Sequence, residues 1–132
     1  KGTAPAFEVH WTPGPPMHVH GSAGQLLQVV MNLVQNAYDA ASARAGATPA
    51  LWITTESDAA SVRLHFRDNG PGIAEAHLSR IFDPFFTTKP VGKGTGLGLS
   101  ISYGLVEQHG GRLAARNHAS GGAEFTLELP RA

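Results

Sequence analysis

Between Ala23 and Tyr38 the chain has no charged residue, yet polar side chains return every three or four positions. Gln25, Gln28, Asn32, Gln35 or Asn36, and Asp39 form one stripe, with Leu26, Val30, Leu33, Ala37 and Ala41 on the opposite side. This is the helical period. Ser22 can cap the first turn, so the pattern predicts a helix running to about Arg44 and ending near Gly46. A solvent face usually carries Lys, Glu and Arg. A stripe of amides on a greasy helix favours the lining of a cleft over a plain surface.

Alternation with period two takes over further along. "LWITTE" (51–56) and "SVRLHFRD" (61–68) read as two strands, the second with Val62, Leu64 and Phe66 on one side and Arg63, His65 and Arg67 on the other. "FEVHW" reads as an edge strand, "TPGPP" as a turn and "MHVH" (17–20) as a further short strand. Residues 74–96 form a long connection with one helical pattern, "AEAHLSRIF"; a connection of this length is usually functional or disordered. "GLSISYGLVEQHG" (98–110) predicts a second helix, stopped by Gly110-Gly111. "GRLAARN" and "AEFTLELP" predict a hairpin turning at Gly121-Gly122, with Phe125, Leu127 and Leu129 inward. The expected fold is α/β: a mixed sheet of five or six strands with helices on one face, a two-layer sandwich.

Composition narrows the partners. The 132 residues suit a single domain, 1–132, and 42% hydrophobic content supports a core. Ten basic and ten acidic residues cancel, which argues against a nucleic-acid surface. The absence of cysteine excludes disulfides and thiolate metal sites and is compatible with a reducing cytosol. No apolar run approaches the roughly 20 residues of a membrane span. The chain starts at Lys1 and reads as a domain of a longer protein.

The stretch "VGKGTGLGLS" (91–100) has the open backbone of a phosphate loop, with a plain flexible turn as the alternative. It fits neither common template. After Gly92-Lys93 comes Gly94 where a P-loop needs Ser or Thr, and leucines stand at 97 and 99 where a dinucleotide fingerprint needs its third glycine. Asn32 and Asn36 stand one turn apart, and an amide oxygen is a hard, neutral magnesium ligand. Asp68 ends the second predicted strand, beside Gly70-Pro71-Gly72. Asp68 or Asn69 can close an Asx turn, or Asp68 can accept a hydrogen bond from a buried amino group such as that of adenine; guanine would oppose it with a carbonyl. Gly70 and Gly72 would let a base lie against the backbone.

These pieces, in this order, resemble a known family. "QVVMNLVQNAYDA" (about 28–40) resembles its N box, "DNGPGI" (68–73) its G1 box, "FDPFFTTK" (82–89) its F box and "GTGLGLS" (94–100) its G2 box. The family is the catalytic and ATP-binding domain of sensor histidine kinases, in the GHKL superfamily of gyrase-type ATPases. "FDPFFTTK" followed by "GTGLGLSIS" is particularly similar to nitrogen-regulatory and hybrid-type kinases.

The resemblance implies the Bergerat ATP-binding fold, with ATP and Mg2+ as cofactors. It implies that Asn36 ligates magnesium, that Asp68 bonds adenine with help from Gly72, and that Asn32, Gly70, Ile73 and Phe82 border the nucleotide. Residues 74–96 would be the ATP lid. Thr87, Thr88 and Lys89, or Lys93, would approach the phosphates, Lys89 acting with Asn36 in catalysis. Gly94, Thr95, Gly96, Leu97 and Gly98 would close over the phosphates and lead into the second helix, whose exposed N–H groups favour anions. The implied partners are an acceptor-histidine dimerisation domain, absent from this chain, and a response-regulator receiver domain. The implied fragment is monomeric and cytoplasmic, makes no direct membrane contact, and belongs to a parent anchored in the inner membrane in some members.

Two departures refine this. ATP-hydrolysing gyrase-type members carry a glutamate one turn before the magnesium asparagine; here Asn32 stands there and cannot take a proton, which favours kinase over ATPase. Asp39 replaces a basic phosphate contact of some kinases. None of the seven histidines lies in an H-E-x-x-[NPT] acceptor motif, and His18-x-His20 lacks an evident third metal ligand. Two other readings stay open: a nucleotide-sensing pseudo-kinase that binds a partner, and an anti-sigma-type serine kinase.

Overall fold

A computed structural model describes residues 6–12, 14–44, 46–86 and 98–132. The elements are β1 (Glu8–Trp11), α1 (Ala23–Ser42), β2 (Ala50–Ser57), β3 (Ser61–Asp68), α2 (Glu75–Leu78), α3 (Gly98–Gln108), β4 (Arg112–Asn117) and β5 (Ala123–Pro130). The sheet has five strands in the order β1-β2-β3-β5-β4. β1 pairs parallel to β2, and the other neighbours are antiparallel.

The inner face follows from alternation. Phe66 on β3 sits opposite Phe125 on β5, and Leu64 opposite Leu127, which is paired in turn with Leu113 on β4. Val29, Leu33 and Ala37 of α1 and Val106 of α3 bury into the same core. Their i, i+4 spacing makes Val29, not Val30, the fully buried start of the α1 stripe; Val30 and Leu26 flank it, half-buried. The opposite face of the sheet is polar. There Glu124 accepts two bonds from Arg116, and His65 sits between Thr126 at 2.9 Å and Glu56 at 2.7 Å.

Ser22 caps α1 as expected, its Oγ accepting the Gln25 N–H at 3.2 Å. A second support comes from α3. His109 Nε2 accepts the Ser22 N–H at 3.1 Å while Nδ1 bonds the Leu105 carbonyl at 2.8 Å, which requires the neutral Nδ1–H tautomer. One expectation fails: "MHVH" is not a strand. Pro15 and Pro16 remove two donors just before it, and among the described residues its main-chain link is a single bond, the His18 carbonyl accepting the Ala132 N–H at 2.8 Å.

Candidate functional site

Three strands converge at one end of the inner face. Asn117, the last residue of β4, pairs with Ala123 on β5, and Asp68, the last residue of β3, lies beside Ala123 on its other side. Asp68 is 1% exposed, and its Oδ1 accepts both the Gly70 N–H at 2.8 Å and the Ala123 N–H at 3.3 Å. The Asx turn is therefore present, within a buried carboxylate site. Burial pushes the Asp68 carboxyl above the usual range, against the opposing pull of the two amides and Arg67.

Glycine is required here by contact. A Cβ on Gly70 would lie 2.6 Å from the Ala40 carbonyl of α1, and one on Gly122 would collide with the carbonyl of Asp68. Asn69 anchors the same turn to the start of β2: its Oδ1 accepts the Ala50 N–H and its Nδ2 donates to the Thr48 carbonyl, both at 2.9 Å. Arg44 Nη1 donates to the Asn69 carbonyl at 3.3 Å. The loop after β3 is thus pressed against the C-terminal half of α1.

Ala40 fixes the direction of the rest. One turn earlier on the same helix face is Asn36, and one turn before that Asn32. Asn32 Nδ2 donates to the Gly98 carbonyl at 3.3 Å and to Ser102 Oγ at 3.0 Å, so it grips the first turn of α3. Asn36 is half-buried and its amide has no hydrogen-bond partner among the described residues. Gln35, the other candidate for that stripe, is exposed and donates to Asp39 Oδ1 at 3.0 Å. The face of α1 therefore runs from the Asp68 loop, past the Asn36 amide, to the first described turn of α3. Ala40 lies eight positions along the helix from Asn32, about 12 Å.

The remaining predicted residues divide. Ile73 and Phe82 pack against the core, the Phe82 ring lying edge-on to Phe125 at 6.2 Å and 5.1 Å from Tyr103. This gives Phe82 a packing contact on β5 and α3. A Cβ on Gly98 would meet nothing within 4 Å among the described residues, so contact does not demand glycine there. Thr87, Thr88, Lys89, Lys93, Gly94, Thr95, Gly96 and Leu97 lie outside the described residues. His18 and His20 join no cluster of three or more His, Cys, Asp or Glu among the described residues.

Sequence reasoning missed Asn117, and it read Gly122 only as a hairpin glycine and Asn69 only as an Asx-turn candidate. Asn117 Oδ1 accepts the Ile73 N–H and its Nδ2 donates to the Ile73 carbonyl, both at 2.7 Å. An Asn at a strand end carries no pattern of its own. Only the strand order brings it to the loop after β3.

Residues 21–132 match the family described as histidine kinase-, DNA gyrase B-, and HSP90-like ATPase. Among curated proteins, the two-component sensor PprA of Pseudomonas aeruginosa is 48% identical over 120 residues, covering 88% of this chain and 13% of its own length. The chain spans less than a fifth of the first curated relatives it matches. Among solved structures, the catalytic domain of histidine kinase ThkA superposes with a TM-score of 0.81 at 35% identity, covering 95% of this chain and 80% of its own. The structure of histidine kinase ThkA in complex with response regulator protein TrrA matches with a TM-score of 0.77 at 32% identity, over 96% of this chain and 34% of that one. No helix among the described residues is long and apolar enough to cross a membrane. The chain belongs to the histidine kinase-, DNA gyrase B- and HSP90-like ATPase family and is an ATP-binding catalytic domain of the sensor-histidine-kinase type.

Proposed function

We propose that this domain binds ATP along the α1 face, base at Asp68 and phosphates toward α3, and passes the γ-phosphoryl group to a histidine on a separate domain. The observation that carries this reading is the row Ala40, Asn36, Asn32, which joins a buried carboxylate at one end to a helix N-terminus at the other. Asp68 Oδ1 is occupied by two backbone N–H groups, which leaves Oδ2 to accept from the 6-amino group of adenine. Guanine would set its carbonyl against that carboxylate and be rejected.

Asn36 fits magnesium: it offers a hard amide oxygen that no described neighbour uses. The metal when bound would neutralise phosphate charge during transfer. Asn32 cannot deprotonate water, and its amide is already engaged with Gly98 and Ser102. An imidazole acceptor brings its own lone pair and needs no such base. Its ring nitrogen forms the new bond to phosphorus as the bond to the β-phosphate oxygen breaks, releasing ADP. Thr87, Thr88, Lys89 and Lys93 complete the phosphate end in this reading, with Lys89 acting beside Asn36. Gly94 to Gly98 close over the phosphates.

The partners are the acceptor-histidine domain and a response-regulator receiver domain; a kinase of this fold has been solved with a response regulator. We place the domain on the cytoplasmic side, as a monomer. The test is to mix it with an acceptor domain from a relative and γ-labelled ATP. Acid-labile phosphohistidine is expected. Absence of transfer, with ATP bound, would favour the pseudo-kinase reading, and acid-stable phosphoserine the serine-kinase one.

A further inference from the structure

Asn117 ends β4, and β4 does not border β3, because β5 lies between them. Its side chain nevertheless reaches the loop that follows β3. The residues beside it on the neighbouring strand are small: Ala123, which pairs with Asn117 and opens β5, and Gly122 just before it. A primary amide carries an acceptor and donors together, and here both are used on one residue: Oδ1 takes the Ile73 N–H and Nδ2 gives to the Ile73 carbonyl, at 2.7 Å each.

The consequence lies in the turn between Asp68 and Ile73. At its start the Gly70 N–H is fixed by Asp68 Oδ1. At its end the N–H and carbonyl of Ile73 are fixed by Asn117. Between them Pro71 restricts φ and has no N–H to give. Gly72 completes the turn at a left-handed φ of 85°, and a Cβ there would stand 2.8 Å from Asn117 Oδ1. The turn beside Asp68 is therefore held from both ends, and the second hold comes from a strand two places away.

We propose that Asn117 is a positioning residue for nucleotide binding, setting affinity for the base by fixing the Gly72–Ile73 peptide beside Asp68. The inference rests on the reading of Asp68 as the acceptor for adenine. Because Asn117 acts at the base end, its loss weakens every adenine ligand by the same factor, whatever phosphates follow. A residue that only staples the hairpin would lower the melting temperature and leave affinity intact in the folded protein.

The experiment measures dissociation constants for adenosine, ADP and ATP without magnesium, well below the melting temperature, in wild type, Asn117→Ala, Asn117→Asp and Asp68→Asn. Asn117→Ala should weaken all three ligands about tenfold and to the same extent. It should also speed exchange of the Ile73 amide. Asn117→Asp keeps the acceptor and loses the donor, so it should fall between wild type and Asn117→Ala; it decides the matter if the alanine variant does not fold. Unchanged adenosine affinity, or a loss that grows from adenosine to ATP, would overturn the proposal. If wild type and Asp68→Asn bind adenosine alike, the Asp68 reading fails and the proposal with it. If Asp68→Asn loses adenosine while both Asn117 variants keep it, only the role of Asn117 is wrong.

Discussion

At the sheet end of the site, Asp68 is almost wholly buried and tied to the Gly70 and Ala123 amides, in a turn further gripped by Asn69 and Asn117. On the α1 face, Asn36 is half-buried and without a partner among the described residues, although Asn32 one turn away donates twice to α3 through its Nδ2. The first region is preorganised: backbone donors fix the carboxylate before any ligand arrives. The second leaves one amide open. A nucleobase is rigid and always offers the same edge, so a fixed acceptor suits it. A hydrated cation shared with flexible phosphates suits a ligand that is free to turn.

Breaking the preorganised end should cost most. In Asp68→Asn, the Gly70 and Ala123 amides still demand an acceptor, so Oδ1 stays and Nδ2 replaces Oδ2. A donor then faces the adenine amino group, and ATP affinity should fall about a hundredfold by titration calorimetry. Stability should move the other way. The Asp68 carboxyl is held above its ordinary 3.8 by burial, so folding disfavours its charged form. Stability contributed by this group is present below the ordinary value and is lost as pH rises through the raised one. At neutral pH the Asp68→Asn variant should therefore melt no lower than wild type. In wild type, ATP affinity should weaken as pH falls through the raised value, when the acceptor becomes protonated.

The open end should respond differently. Asn36→Ala should remove at least about tenfold of the magnesium-dependent affinity and spare binding measured without magnesium. An equal loss in both conditions would show that Asn36 contacts the nucleotide directly. Asn32→Asp sharpens the contrast within α1. A carboxylate there would face the Gly98 carbonyl in place of an amide donor, so thermal unfolding should report a loss of about 1–2 kcal/mol. The smallest effect belongs to Asp58, outside the cleft. The Ala60 and Ser61 amides, then Arg63, hold its carboxyl down to about 2. Its contribution is present above 3.8 and lost as pH falls toward 2, so Asp58→Ala and wild type should differ in melting temperature at pH 6 and converge near pH 2.

The elements were legible where periodicity was unbroken. The α1 stripe, the alternation of Val62, Leu64 and Phe66, and that of Phe125, Leu127 and Leu129 each report one buried face. "MHVH" alternates too, but alternation does not supply a hydrogen-bonded neighbour, and prolines precede it. Asp68 was legible from its place at a strand end before Gly70-Pro71-Gly72. Asn117 and the approach of Gly122 to Asp68 were not, because their partners are 44 and 54 residues away in the chain (Ile73 and Asp68) and only the β3-β5-β4 order joins them. His109 is a similar case: nothing local marks a histidine at the end of α3 as support for the first turn of α1.

In the proposed site Asp68 reads the base while Asn36 answers to the metal. Titration calorimetry of this chain with ATP and with GTP, each with and without magnesium, tests it most directly. ATP should bind, magnesium should tighten it, and GTP should not bind in either condition. Equal affinity for ATP and GTP, or ATP binding indifferent to magnesium, would contradict that reading.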